Sequence, residues 1–119
     1  MNEIYIKGLE VWAHIGVPDK EREQAQRLLI DVVIEPQTAF RDLGDDIART
    51  VDYDVASMAI RDLASAGPRQ LIETLAVEIA DVVLERFPAR KVTVEVRKFI
   101  LPDTEYVAVK YERTLEEFS

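Results

Sequence analysis

The sequence predicts an α+β fold, a four-stranded antiparallel sheet with two helices packed on one face. Two observations predict it. Four stretches, two early and two late, alternate apolar and polar residues with the period of a half-buried strand. Two stretches between them repeat apolar residues every three or four positions, the period of an amphipathic helix. The order is therefore strand, strand, helix, helix, strand, strand. A length of 119 residues suits one domain over 1–119 and is enough to bury a core.

The first strand begins at Ile4-Tyr5-Ile6-Lys7 with its apolar residues at even positions. After Gly8 they move to odd positions, Leu9, Val11, Ala13 and Ile15. One strand face shows one parity, so the switch at a glycine predicts a bulge or sharp bend. Gly16-Val17-Pro18-Asp19 reads as a turn. The second strand runs from Arg27 to Glu35, with Leu28, Ile30, Val32 and Ile34 on one face, and pairs antiparallel with the first. A polar connection fills Gln37 to Thr50.

In the first helix Val55, Met58, Ala59, Leu63 and Ala66 recur at helical spacing up to Gly67-Pro68, with Asp52 or Asp54 as its cap. The second helix is expected over 70–86, with Ile72, Leu75, Ala76, Ile79, Val82 and Val83 as its stripe and Pro68 marking its start. Val92, Val94 and Val96 define the third strand; Val107, Val109 and Tyr111 define the fourth. The helices cover one sheet face and nothing in the chain covers the other. Long strands on so short a chain are readily extended into an oligomer, edge against edge.

Composition narrows the function. Twenty-three acidic against 15 basic side chains give a formal net charge of −8, which disfavours nucleic acid and anionic membranes as partners. There is no cysteine and one histidine, His14, so disulfides, thiolate metal sites and multi-histidine zinc sites within the chain are excluded. No apolar run reaches the roughly 20 residues that span a bilayer, and Met1-Asn2-Glu3 has no signal-peptide character. The expected compartment is the cytoplasm.

Four residues could carry chemistry. Lys98 continues the even, apolar face of Val92, Val94 and Val96; a lysine directed there is partly desolvated and moves toward general-base range, unless it snorkels to water. Glu73 sits in the first turn of the second helix, where a carboxylate suits the helix dipole and can also accept two parallel hydrogen bonds from an amidine-like edge. Tyr53, at the entry to the first helix, can cover a planar ligand or pack on the core. Glu21 lies in Asp19-Lys20-Glu21-Arg22-Glu23, by itself a solvated charge run, and His14 reads as a surface or structural histidine. No phosphate-binding glycine loop, H-E-x-x-H or G-x-S-x-G pattern is present.

These segments together resemble the dihydroneopterin aldolase family across nearly the whole chain. The resemblance is carried by Ile6-Lys7-Gly8-Leu9, Ile15-Gly16-Val17, Glu21-Arg22, Val51-Asp52-Tyr53, a lysine closing the third strand and, most specifically, Leu71-Ile72-Glu73-Thr74-Leu75-Ala76. It implies the tunnelling fold (T-fold) and homo-tetrameric or homo-octameric rings with active sites between subunits. By matching positions, Glu73 would hold the pterin N3 and 2-amino edge, with Ile72 and Val51 also in the binding site. Tyr53 would lie against the ring from the adjacent chain, Glu21 would order the substrate side chain or a water, and Lys98 would be the general base. The implied reaction is retro-aldol cleavage of 7,8-dihydroneopterin, a step of folate biosynthesis. It needs no metal, cofactor or Schiff base, because the substrate's own imine accepts the electrons.

One departure stands out. Family members usually carry proline soon after the lysine, whereas here Lys98 is followed by Phe99-Ile100-Leu101-Pro102. Arg97 offers a second register for the base, but parity puts it on the polar face with Glu95. The nearest rival is an epimerase acting on dihydroneopterin or its triphosphate; a triphosphate calls for convergent cations that the sequence does not cluster. A non-catalytic pterin- or purine-binding module would have no use for Lys98.

Overall fold

The computed structural model describes all of residues 1–119. The chain folds as strand β1 (Ile4–Ala13), the single-turn helix α1 (Asp19–Arg22), strand β2 (Gln26–Pro36), helices α2 (Tyr53–Ser65) and α3 (Ile72–Arg86), strands β3 (Ala89–Lys98) and β4 (Val107–Thr114), and a terminal turn α4 (Leu115–Phe118). The strands form one antiparallel sheet in the order β1-β2-β3-β4, leaving β1 and β4 as its edges. Helix α2 packs on β1, and α3 packs on β3 and β4. The α+β expectation holds in class, order and layering.

The parity argument holds residue by residue. Leu28, Ile30, Val32 and Ile34 of β2 and Val92, Val94 and Val96 of β3 are fully buried beneath the helices. Gly8 has φ +65°, and the pairing of β1 with β2 shifts between Ile6 and Leu9, so the switch in parity is a bulge. The bulge leaves the Gly8 N–H out of the ladder, and Asp31 Oδ1 accepts it at 2.7 Å. Asp31 is 6% exposed on the otherwise polar outer face, and the Arg97 guanidinium 2.5 Å from its other oxygen balances the charge. Arg97 also bonds Glu95 at 2.7 Å, as expected for a residue on that face.

Three expectations about the helices change. Asp52 is the cap of α2, its Oδ1 accepting from the N–H groups of Asp54 and Val55, but the buried stripe of α2 is Ala56, Ala59, Ile60 and Ala64. Val55 and Met58 are about half exposed, because the small alanine face lets the helix sit close to the sheet and turns the bulkier residues outward. Helix α3 begins at Ile72, two residues later than expected, and Pro68 lies in the preceding turn rather than at the helix start. The charged run at 19–23 is partly a one-turn helix, and the 37–50 connection holds two 3-10 turns, Phe40–Asp42 and Ile47–Arg49.

The α2–α3 turn crosses one end of the sheet. Arg69 fixes it: its N–H donates to the His14 carbonyl and its carbonyl accepts from Gly16, both at 3.0 Å. Its guanidinium, 9% exposed, donates to the carbonyls of Leu63, Ala64 and Gly67 and to the Glu78 carboxylate. One side chain thereby serves three carbonyls at and just beyond the C-terminal end of α2 and a carboxylate of α3. The C-terminus of α2, the N-terminus of α3 and residues 14–16 therefore meet at one end. The strand register adds the end of β1, the start of β2 and Lys98 to that end, since Ala13 pairs with Gln26 and Leu28 with Lys98.

Candidate active site

At that end Lys98 is the last residue of β3, on the buried face with Val96, and its side chain is only 13% exposed. It does not snorkel to water. Its Nζ lies 2.7 Å from Glu21 Oε2, whose side chain is 19% exposed. The charged run containing Glu21 is therefore not uniformly solvated: one turn of helix aims Glu21 at the sheet end while Lys20 and Glu23 stay exposed. The hydrogen bond from Lys98, helped by one from Gln26, holds the Glu21 carboxyl below the usual carboxylate range, while partial burial opposes the shift.

The segment carrying Glu21 is tied down on several sides. Arg22 donates to the carbonyls of Gly16 and Val17 at 2.7 and 2.8 Å and pairs with Asp19. His14 Nδ1 lies 2.8 Å from the Arg22 carbonyl, which can only accept, so this nitrogen carries the proton. Gly16 adopts φ +147°, and a methyl group added there would overlap the Glu21 carboxyl. Glycine is needed twice over at this position, for its backbone and for the space it leaves.

Glu73 belongs to the same end by a different route. It is the second residue of α3, whose preceding residue, Leu71, offers no capping side chain. The carboxylate is exposed at a helix terminus that favours negative charge, and no hydrogen bond or ion pair within the chain engages it. Ile72 beside it is buried at 7% exposure and roots the first turn in the core.

Tyr53 and Val51 are elsewhere. They sit at the N-terminal end of α2, whose other end is the one fastened by Arg69. A helix of 13 residues separates the two by about 20 Å. Tyr53 is 59% exposed, and Val51 has its side chain buried in the core at 1%. One chain thus brings together Glu21, Lys98 and the helix start bearing Glu73, and leaves Tyr53 and Val51 at the opposite end.

A cleft of about 430 Å³ opens beside Glu21, bordered by Lys20, Glu23, Gln26, Phe99 and Ile100 among others. Its Phe99 wall is held by the Arg27 guanidinium 5.1 Å from the ring and by Tyr106, edge-on at 6.3 Å. Arg27 is in turn bonded to Glu10 at 3.0 Å. The loop after Lys98, unusual in sequence, is thus a braced aromatic wall. A depression of about 290 Å³ on the outer sheet face, among Glu3, Lys7, Asp31, Lys91 and other charges, holds none of the expected site residues.

Residues 4–112 match the family model described as dihydroneopterin aldolase (FolB). The chain belongs to the dihydroneopterin aldolase family. It is 36% identical over 104 residues to the dihydroneopterin aldolase of Streptomyces coelicolor, 87% of each chain being covered. It is 32% identical over 99 residues to that of Bacillus subtilis, covering 82% of each. Among solved structures, the E. coli dihydroneopterin aldolase in complex with neopterin superposes with a TM-score of 0.88 at 27% identity, over 95% of this chain and 99% of the other. The T-fold expectation is therefore met, and membership places the chain among the carbon–carbon lyases of pterin metabolism. No helix is long and apolar enough to cross a membrane.

Gly16 and Gln26 were not singled out in the sequence as site residues. Gln26 carried a readable signal: it continues the even, apolar face of Leu28 and Ile30, the same pattern that marked Lys98. Gly16 had no comparable mark, since its role depends on where Glu21 folds back.

Proposed function

We propose that the chain cleaves 7,8-dihydroneopterin into 6-hydroxymethyl-7,8-dihydropterin and glycolaldehyde without a metal, with Lys98 as general base. The observation that carries this reading is the 2.7 Å contact of Lys98 with Glu21 on a largely buried sheet end that also presents the free carboxylate of Glu73. Glu73 accepts two parallel hydrogen bonds from the ring N3–H and 2-amino group, an edge shaped for a carboxylate. Ile72 and the backbone at Val51 complete the binding surface. Tyr53 lies against the ring.

Removal of the 2′-hydroxyl proton by Lys98 starts the cleavage. The C1′–C2′ bond breaks, C2′ leaves as the aldehyde carbon of glycolaldehyde, and the bonding electrons move into the C6=N5 imine. The enamine so formed takes a proton at C1′, with Tyr53 assisting, and becomes the hydroxymethyl product. As a base, Lys98 must first shed a proton, and the Glu21 carboxylate is placed to order the water that takes it. Holding the ring and the reacting bond in one geometry contributes as much as the proton transfer itself.

A ring-shaped tetramer or octamer completes the site. Its support is the roughly 20 Å between Tyr53 and the Lys98 end within one chain, together with two open sheet edges, β1 and β4. In that arrangement Tyr53 of one protomer faces Glu73 and Lys98 of its neighbour. The working compartment we assign is the cytoplasm.

A triphosphate substrate fits less well. The cleft beside Glu21 sets one ammonium, Lys20, against the carboxylates of Glu21 and Glu23, with an apolar wall behind. Incubation with 7,8-dihydroneopterin and chromatography of the oxidised pterins tests the assignment. Hydroxymethylpterin supports it, monapterin alone points to epimerisation, and an unchanged substrate points to a binding module.

A further inference from the structure

The Glu21 carboxylate does not owe its position to Lys98 alone. Gln26 is the first residue of β2, on the same face as Leu28 and Ile30, and opposite Ala13 in the sheet. Its side-chain Nε2 donates to Glu21 Oε2 at 2.9 Å and to the Ile15 carbonyl at 2.8 Å. Both partners can only accept, so the amide nitrogen must face them, and its two N–H groups are both used. The Ile15 bond fixes the amide to the backbone of the segment that the Arg69 turn holds in place. The second N–H then fixes the carboxylate.

The same oxygen of Glu21 that accepts from Gln26 also accepts from Lys98. No side chain occupies Gly16, so the carboxylate packs over bare backbone there. Without a donor at position 26, Glu21 keeps one tether, a lysine side chain with four rotatable bonds. The carboxylate then has rotamers open to it that no longer face the sheet end.

We infer that Gln26 is a positioning residue for catalysis, aiming the Glu21 carboxylate at Lys98 and at the substrate's reacting hydroxyl. The inference rests on the proposed roles of Glu21 and Lys98. It concerns the step of chemistry and not the grip on the ring, since nothing in the chain links Gln26 to Glu73.

Gln26→Met keeps the length of the side chain and removes both donors. It should lower kcat on 7,8-dihydroneopterin about tenfold, the effect of losing a hydrogen bond to a charged group. Neopterin affinity, read by fluorescence titration, should stay within about twofold, because Glu73 is untouched. Gln26→Glu sets a second carboxylate against Glu21 and should move the acid limb of the kcat–pH profile upward. A merely structural role would shift neither the split between kcat and affinity nor that limb. Wild-type kcat in Gln26→Met, alongside a Glu21→Gln variant that is impaired, would overturn the inference and leave the Glu21 assignment standing. Wild-type turnover in both Glu21→Gln and Lys98→Ala would instead overturn the underlying reading. If Gln26→Met fails to fold, the Gln26→Glu profile decides, and an unmoved acid limb counts against the inference.

Discussion

The two ends of the domain are built differently. At the Lys98 end, side chains are engaged before any ligand arrives: Lys98 with Glu21, Glu21 with Gln26, Arg22 with the loop carbonyls, Arg69 with the helix turn. At the Tyr53 end the aromatic ring stands 59% exposed and Val51 is a core residue. The difference is one of completeness. The Lys98 end is an organised acid–base pair in want of something to close over it, and the Tyr53 end is an aromatic surface in want of something to cover. Neither end alone would bind and cleave a planar substrate, and our proposal joins the two across a subunit boundary.

Removing the base should produce the largest effect. Lys98→Ala is expected to lower kcat by about 10²–10⁴-fold, the usual range for a general base. Neopterin binding should survive, because the proposed ring anchor, Glu73, is untouched. Turnover at the wild-type rate in steady-state assays would remove Lys98 from the mechanism.

Glu73→Ala tests the other half of the same end. The loss of two charge-assisted hydrogen bonds should weaken neopterin binding about 100-fold or more, measured by titration, with the Glu21–Lys98 pair intact. A change confined to kcat would mean that Glu73 is not the ring anchor. Gly16→Ala should act more gently and on the chemistry, since the added methyl displaces the Glu21 carboxyl; a fall in kcat of about tenfold is expected with little change in affinity.

The smallest expected effect is on stability. Glu21 titrates below its ordinary value of 4.5 in the folded chain, chiefly through Lys98. A depressed carboxyl adds stability that is fully present above the unfolded value and is lost as pH falls through the folded one. Chemical unfolding at pH 7 should therefore show wild type more stable than Glu21→Gln, and the gap should shrink once pH falls below 4.5 and close as it passes through the lower folded value. A gap that persists unchanged in acid would assign it to packing rather than to charge.

Most of the fold was legible because the sheet has one dry face. Each strand had to place apolar residues at every second position, and the break in that rhythm at Gly8 marks the bulge. The same rhythm found Lys98, a charge where the pattern demanded an apolar residue. It failed for α2, where Val55 and Met58 keep helical spacing on the outer surface while alanines face the sheet. Spacing reports that a stripe exists, and residue size decides which stripe can approach a sheet closely.

The site was legible only in part. Glu73 alone is an ordinary first-turn glutamate, and Glu21 alone is one charge in a run of five; the family pattern was needed to single them out. Their supports, Gly16 and Gln26, are defined by where the 16–23 segment folds back on the sheet end. Such a tertiary contact leaves no periodic trace, although the parity of Gln26 hinted at it. Tyr53 was located by resemblance, and its distance from Lys98 along α2 gave that resemblance a geometric reason.

The most direct test mixes two defective chains. Tyr53→Phe and Lys98→Ala subunits, each carried to low activity by its own substitution, are coexpressed in equal amounts and purified as mixed oligomers. If Tyr53 and Lys98 meet across a boundary, random assembly pairs an intact Tyr53 with an intact Lys98 at about a quarter of the sites, and roughly a quarter of wild-type activity returns. If both residues of a site come from one chain, every site carries one defect. Mixed oligomers no more active than the average of their parents would contradict the account.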